Sequence, residues 1–354
     1  MSVLDDPDRP LRLGTRRSEL ATTQSRLVAE LLTEATGRPV ELVTVTTVGD
    51  TSRAALAELG GTGVFVSALR DALLAGEVDL AVHSLKDLPT DPAEGITLAA
   101  VPLREDPRDV VIARDGLTLG ELPQGSRVGT GSPRRAAQLE ALGLGVTVVG
   151  IRGNVDTRIG KLAAGEYDAI VLARAGLSRL GRVDEATEVL DPLQMLPAPG
   201  QGALAVECRT QDADLVKLLE GALDDPHTRA AVECERTVLA ELEAGCAAPV
   251  GALAEVVEGE DDEELWIRAV ALSPDGGLSV RRSASGDPAD PVGVGRLLAA
   301  EMVADGAADL LDGPGKSAGT APEKAAEKAP ENAPTNATDA PTDTQTDAHV
   351  DTEK

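Results

Sequence analysis

Short apolar strands alternate with helices through roughly the first half of this 354-residue chain, and no other feature constrains the fold as strongly. The pattern predicts strands over residues 11–14, 40–46, 80–82, 96–101, 110–113, 127–129, 146–149 and 169–172. It predicts helices over 18–36, 64–75, 133–142 and 155–164, with Ser18 as an N-cap and Gly37 as a stop. Such alternation predicts an α/β fold with parallel-rich sheets and ligand sites at the strand ends.

The later sequence has a different pattern. A helix over 226–243, which starts after Asp225 and stops at Gly245, precedes predicted strands over 250–257, 265–271 and 278–282 and a helix over 292–304. This order predicts a small α+β unit. Residues 106–107 and 197–202 are predicted crossings between units, and the Ala/Pro/Thr/Asp-rich tail over 313–354 is predicted to be disordered.

The formal charge of −27 argues against whole classes of partner. A nucleic-acid binder needs a basic face, and docking to anionic lipid needs one too. Phe65, Tyr167 and Trp266 are the only aromatic residues, so base-stacking platforms are also excluded. We therefore expect no nucleic-acid and no membrane partner, although a local basic cluster inside a cleft stays possible.

Cysteine usage and hydropathy predict a cytoplasmic protein. Cys208, Cys234 and Cys246 are odd in number and form no CxxC motif, which is typical of a reducing compartment. The acidic first ten residues contain no signal-peptide pattern, and no apolar run approaches the roughly 18–20 residues of a membrane span.

Three predicted strand-to-helix turns carry arginine beside small or hydroxyl residues, at 15–18, 129–135 and 152–158. Helix N-termini favour anions, and arginine binds carboxylates in a bidentate manner. The turns therefore indicate a ligand with several carboxylates or phosphates, the alternative being arginines that are solvated or paired with the many acids. Neither a Walker A motif nor GxGxxG occurs, so ATP and NAD are not the expected ligands.

Residues 83–87 (His-Ser-Leu-Lys-Asp) follow a predicted strand and place a carboxylate next to a cation. Asp87 beside Lys86 could stabilise a developing cation or move a proton, or the two could form a surface pair. His83 is either structural or catalytic, and Cys246 is either a buried thiol or an accessible loop thiol. The three histidines do not cluster, so no metal site is expected.

Several ordered motifs resemble the porphobilinogen deaminase (hydroxymethylbilane synthase) family. They are residues 13–18 with Gln24, 81–89, 105–109, 128–135, 152–158 and 196–202, and the resemblance extends from about residue 11 to 310. It implies a transferase of tetrapyrrole (haem, porphyrin) biosynthesis that joins four porphobilinogen molecules head to tail, releases ammonia at each step and forms hydroxymethylbilane through linear oligopyrrole intermediates. It also implies a covalent dipyrromethane cofactor, attached by a thioether to Cys246.

The resemblance also implies roles for individual residues. Asp87 matches the catalytic aspartate, which stabilises the positive pyrrole nitrogens as ammonia leaves. The residues matched to cofactor and substrate carboxylates are Arg16, Ser18, Ser84, Lys86, Thr130, Ser132, Arg134, Arg135, Arg152, Gly153, Arg158 and Arg179. Phe65 matches a residue near the pyrrole site, or it could belong to the core. Glu58 and Thr62 stand where many family members carry lysine.

The implied architecture has three domains and is monomeric. Residues 1–103 with 203–222 form domain 1, and 104–202 form domain 2; both resemble lobes of a periplasmic binding protein with the cleft between them. Residues 223–312 form a small domain that carries the cofactor cysteine. The competing hypothesis is a non-catalytic protein that uses the same cleft to bind an anionic solute.

Overall fold

The computed structural model describes residues 3–45, 63–244, 248–259 and 262–312, which form three β-sheets and the helices around them. The strands are β1 (Leu11–Thr15), β2 (Val40–Thr44), β3 (Leu80–Ser84), β4 (Ile96–Ala100), β5 (Asp109–Ala113), β6 (Arg127–Thr130), β7 (Thr147–Gly150), β8 (Ala169–Ala173), β9 (Glu188–Val189), β10 (Leu204–Arg209), β11 (Val250–Glu258), β12 (Glu263–Leu272) and β13 (Ser279–Gly286). The helices are α1 (Glu19–Thr36), α2 (Gly63–Leu74), α3 (Pro133–Ala141), α4 (Val155–Ala163), α5 (Arg174–Arg179), α6 (Ala213–Leu223), α7 (Pro226–Glu241), α8 (Pro291–Ala304) and α9 (Ala307–Asp312). The predicted α/β class is confirmed.

The two five-stranded sheets share one topology. Their strand orders are β2-β1-β3-β10-β4 and β7-β6-β8-β5-β9. In each sheet two pairings are parallel and two are antiparallel, so the sheets are less parallel than the strand–helix alternation predicts. The physical reason is that β5 and β10 enter their sheets directly from the other sheet, without a preceding crossover helix, and each runs antiparallel to both neighbours.

The chain passes between these sheets twice, close to the predicted crossings. It leaves the first sheet at Ala100 and enters the second at Asp109, and it returns between Val189 and Leu204. The two crossings lie side by side, since the Glu105 amide donates to the Gly202 carbonyl at 3.3 Å. Gly202 has φ +90, and a Cβ there would lie 2.3 Å from the Glu105 carbonyl oxygen, so this contact requires glycine.

The third sheet, β11-β12-β13, is antiparallel and packs against α7 and α8 around a core of aliphatic residues. Asp225 caps α7 by accepting from the Thr228 amide at 2.7 Å, as the sequence predicts. The small α+β unit is therefore present, whereas the exact domain boundaries stay predictions. No helix in the described ranges is both long and apolar enough to span a bilayer.

Candidate active site

One cavity of about 1200 Å³ lies between the two five-stranded sheets and is lined by most of the predicted site residues. These are Arg16, Ser18, Ser84, Lys86, Asp87, Thr130, Ser132, Arg135, Arg152, Gly153, Arg158 and Arg179. They come from segments far apart in the chain. Three arginine-bearing turns and the 83–87 segment thus share one space, as an anion-binding site requires.

The first sheet contributes the ends of β1 and β3, which are adjacent and parallel. After β1 the chain turns into α1, and Ser18 caps that helix by accepting from the Ala21 amide at 3.3 Å. After β3 comes a short 3-10 turn, Leu85–Asp87, which brings Lys86 and Asp87 to the cavity. Parallel neighbours end at the same edge, and this explains why motifs about 70 residues apart meet here.

The second sheet contributes the ends of β6, β7 and β8 in the same way. Ser132 caps α3, and Asn154 caps α4 by accepting from the Thr157 amide at 2.9 Å. Gly153 has φ +119, and a Cβ there would lie 2.6 Å from Thr157 Cβ, so no other residue fits this turn without displacement. The turn exposes Arg152 to the cavity.

Two of the cavity arginines are held by backbone carbonyls, with no ion pair to an acid of the described residues. Arg158 Nε donates to the Gly153 carbonyl at 2.8 Å, Arg179 donates to the Gly202 carbonyl, and neither forms an ion pair within the described residues. Burial lowers the pKa of both guanidinium groups, that of Arg179 to about 10. The buried Arg179 Nε also has no hydrogen-bond partner in the described part of the chain. Such groups fit a ligand that brings carboxylates, as a dipyrromethane group with acetate and propionate side chains would.

Arg134 is placed differently from the other predicted residues. It is buried, does not line the cavity, donates to the Leu196 carbonyl and pairs with Asp109 at 2.8 Å. Arg135 pairs with the same carboxylate at 2.7 Å and also reaches the cavity. Burial by itself would raise the pKa of Asp109, but the two arginines hold it well below its usual range. Asp109 therefore anchors both guanidinium groups.

Lys86 and Asp87 form no ion pair with each other. Lys86 Nζ donates instead to Gln201 Oε1 at 3.2 Å, and Asp87 is exposed toward the cavity. Burial lowers the pKa of Lys86 to about 8, and Arg135 and Arg134 contribute to the lowering. The surface-pair alternative is thus not what the geometry shows, since the carboxylate faces open space and the ammonium is held elsewhere.

The His83 side chain does not line the cavity. Its side chain is buried, its Nε2 lies 3.3 Å from Glu207 Oε2, and Arg70 binds the same carboxylate at 2.6 Å. The geometry favours the structural alternative for His83.

Asp109 and Gln201 were not singled out by sequence reasoning. Both lie inside motifs that carry the family resemblance, at 105–109 and 196–202, and that position is the available signal. Their partners lie on other elements, so no local pattern reveals the contacts. Cys246, Glu58 and Thr62 lie outside the described residues, as does the Phe65 side chain.

Two mixed sheets with a cation-lined cavity between them define a two-lobed α/β protein suited to an anionic ligand. Comparison with protein families narrows this class. The model "Porphobilinogen deaminase, dipyromethane cofactor binding domain" matches residues 11–217, and "Porphobilinogen deaminase, C-terminal domain" matches residues 229–304. The chain belongs to the porphobilinogen deaminase family.

Curated relatives agree over nearly their whole length. Porphobilinogen deaminase 1 of Streptomyces coelicolor is 58% identical over 313 residues, covering 86% of this chain and 98% of the relative. The Thermobifida fusca porphobilinogen deaminase is 58% identical over 319 residues, covering 87% of this chain and 99% of the relative. A solved methionine-binding protein, MetQ, is 15% identical with a TM-score of 0.41, and the match covers 61% of this chain and 90% of that protein.

Proposed function

We propose that this chain joins four porphobilinogen molecules head to tail, with loss of ammonia at each step, and releases hydroxymethylbilane. One observation carries the proposal: seven cationic side chains and three exposed carboxylates, Asp87 among them, line a single cavity. The cationic residues are Arg16, Lys86, Arg135, Arg152, Arg158, Lys161 and Arg179, and the carboxylates are Glu19, Asp87 and Asp156, the last of which pairs with Arg182. Porphobilinogen carries two carboxylates and becomes cationic as ammonia leaves, so it needs both kinds of group. The solute-binding alternative is not favoured, since both family models are those of porphobilinogen deaminase.

Within this proposal the arginines hold carboxylates. Arg158 and Arg179 are already oriented by the backbone carbonyls of Gly153 and Gly202, so little side-chain freedom is lost when a ligand carboxylate binds. Arg135 is held by Asp109 and by the Val171 carbonyl at 3.1 Å. Prealigned cations of this kind select a polycarboxylate over a neutral molecule of the same shape.

Asp87 has a different proposed role. Its exposed carboxylate stabilises the positive charge that develops on the substrate pyrrole nitrogen when the carbon–nitrogen bond to ammonia breaks, and it can hold the pyrrole proton. Lys86, whose ammonium is turned to Gln201, leaves that carboxylate available. When bound, the dipyrromethane group supplies the free pyrrole carbon that the first substrate unit joins. We propose that it is attached through Cys246.

We also propose that the protein works as a monomer in the cytoplasm. Cys208 and Cys234 are free and buried, which is compatible with a reducing compartment. The predicted domains over 1–103 with 203–222, 104–202 and 223–312 are supported by the separate grouping of the three sheets.

Intact mass and turnover test the proposed function together. Protein purified from a host that makes porphobilinogen is expected to be heavier than its sequence by one dipyrromethane group, to give a coloured product with Ehrlich's reagent, and to release ammonia from added porphobilinogen. The Cys246→Ser variant should lack the added mass and the colour, and Cys208→Ser, a change in a buried cysteine of β10, should keep both. Unmodified wild-type protein with no ammonia release would contradict the proposal.

Arg152→Ala is expected to weaken binding of carboxylate ligands. The side chain is exposed to the cavity, so its loss removes one charge-assisted contact and should raise KM about tenfold or lower cofactor occupancy. Steady-state kinetics and intact mass measure the two effects. Arg114→Ala is the matched control, because Arg114 is 52% exposed and pairs with Asp168 outside the cavity. Unchanged KM and occupancy in Arg152→Ala would count against the arginine site.

A further inference from the structure

Gln201 is a buried amide in the second crossing whose side chain contacts both five-stranded sheets. It is 1% exposed. Its Oε1 accepts from Lys86 Nζ at 3.2 Å, on the turn that follows β3 of the first sheet. Its Nε2 donates to Asp109 Oδ1 at 2.8 Å and to the Pro107 carbonyl at 2.6 Å, at the start of the second sheet.

The chemistry of these partners permits one orientation of the amide. A carboxylate and a carbonyl only accept, and an ammonium only donates. The NH₂ group must therefore face Asp109 and Pro107, and the oxygen must face Lys86. A flipped amide would set its oxygen against two acceptors and its NH₂ against a cation.

Hydrogen bonds also fix the backbone of Gln201. The Gln201 amide donates to the Ala198 carbonyl at 2.9 Å, and the Gln201 carbonyl accepts from Arg104 Nε at 2.8 Å. Arg104 in turn pairs with Glu235 of α7 at 2.7 Å. The side chain thus projects from a fixed point between the sheets, which is what a positioning residue requires.

We propose that Gln201 is a positioning residue that keeps the Lys86 ammonium charged and in place at the cavity and couples it to the Asp109–Arg134–Arg135 cluster of the second sheet. This inference rests on the proposed function, because Lys86 is assigned there to the anion-binding set. Gln201 touches neither the substrate nor the cofactor in this role. It acts through Lys86.

Four charged side chains act on Lys86, and its neutral hydrogen-bond partner among the described residues is Gln201. Asp87 on its own turn and Asp109 on β5 favour the charged form, whereas Arg134 and Arg135 on α3 oppose it. Burial is the largest effect and lowers the pKa of Lys86 to about 8. An accepting oxygen on the ammonium favours the protonated form, so removing that oxygen should lower the pKa further.

Two substitutions should move the titration of Lys86 in opposite directions. Gln201→Met removes the acceptor and is expected to lower the midpoint by about one pH unit, since a hydrogen bond to a charged group is involved. Gln201→Glu places one carboxylate oxygen beside the ammonium and is expected to raise the midpoint, while its second oxygen faces Asp109 and Pro107 and should lower stability. If Gln201 had only a structural role, the Lys86 midpoint would not rise from Gln201→Met through wild type to Gln201→Glu. If one variant does not fold, the comparison of the other with wild type still tests the inference.

Trace acetylation with acetic anhydride across a pH series, read by mass spectrometry, measures the midpoint without any turnover. Lys161 and Lys217, the other lysines before residue 313, serve as internal references. Gln138→Met is the matched control, because Gln138 is also a buried amide but contacts the Leu196 backbone and the Arg134 carbonyl, and it forms no hydrogen bond with Lys86 or with the Arg134 guanidinium. It should leave the Lys86 midpoint unchanged.

Kinetics give the second readout. The alkaline limb of kcat/KM for porphobilinogen should move to lower pH in Gln201→Met, mainly through KM, and stay in place in Gln138→Met. A Lys86 midpoint that does not move in a folded Gln201→Met protein would overturn the inference. Absence of turnover in the wild type would instead contradict the proposed function, and the acetylation result would still decide the role of Gln201.

Discussion

Asp87→Asn is expected to give a folded protein that keeps its pyrrole group and loses nearly all turnover. Asparagine has almost the same shape as aspartate but carries no negative charge. Positioned proton transfer and charge stabilisation by one carboxylate contribute about 10²–10⁴-fold to a rate, so kcat should fall by at least about 100-fold. Asp87 is exposed and forms no hydrogen bond or ion pair within the described residues, so its neutralisation should cost only the support that its charge gives to Lys86 and leave the fold intact.

Three measurements on one preparation check this expectation. Intact mass shows whether the pyrrole group is present, thermal unfolding shows whether the fold is intact, and ammonia release gives the rate. Asp91→Asn is the matched control, since Asp91 is an exposed aspartate four residues further along the same segment and does not line the cavity. Normal turnover in Asp87→Asn would refute the role assigned to Asp87.

The elements of the fold follow from the sequence because their signals are local. Ser18 and Gly37 delimit α1 as predicted: Ser18 caps its start, and Gly37 adopts φ +71 at its end. Periodicity cannot show which strands pair, however. β10 inserts between β3 and β4 after more than 100 intervening residues, and only the contacts it makes with both strands set its direction.

In the site, too, features set by adjacent residues can be predicted from the sequence, and features set by contacts between distant segments cannot. Arginine at strand-to-helix turns is visible in the sequence, because the turn that orients it is built from adjacent residues such as Gly153 and Asn154. The difference between Arg134 and Arg135 is not visible. The two are neighbours on α3 and both pair with Asp109, yet only Arg135 also reaches the cavity. Arg134 also donates to the Leu196 carbonyl, which comes from the second crossing and distinguishes it from Arg135.

Glu235 is the clearest example of a residue whose contacts cannot be predicted from the sequence. In the sequence it is one of several acids in the helix predicted over 226–243. In the structure it is fully buried on α7 and accepts four hydrogen bonds that join distant segments. Two come from Arg104 in the first crossing, at 2.7 and 3.0 Å. The others come from the amides of Gly200 in the second crossing, at 2.6 Å, and Ala254 in β11, at 2.8 Å.

Glu235→Ala should therefore cause a large loss of stability. It leaves the nearly buried Arg104 guanidinium and two buried amides without their acceptor, and breaking a buried ion pair on one side costs about 3–5 kcal/mol. Urea titration followed by circular dichroism measures the change in the free energy of unfolding. Glu233→Ala is the control: Glu233 lies on the same helix, is 39% exposed and pairs with Arg229, so its loss should cost less than about 1 kcal/mol.

Glu235→Gln separates charge from shape at the same position. The amide oxygen can still accept from a backbone amide and from Arg104, but its NH₂ group must face two of the four donors, and the charge that balances Arg104 is lost. Its stability should consequently lie between those of the wild type and Glu235→Ala. If all three Glu235 and Glu233 variants unfold at the wild-type urea concentration, the two crossings and the third sheet are not held together through this carboxylate. An ordered loss would mean that a single buried acid fixes the crossings, and with them the distance between the two walls of the cavity.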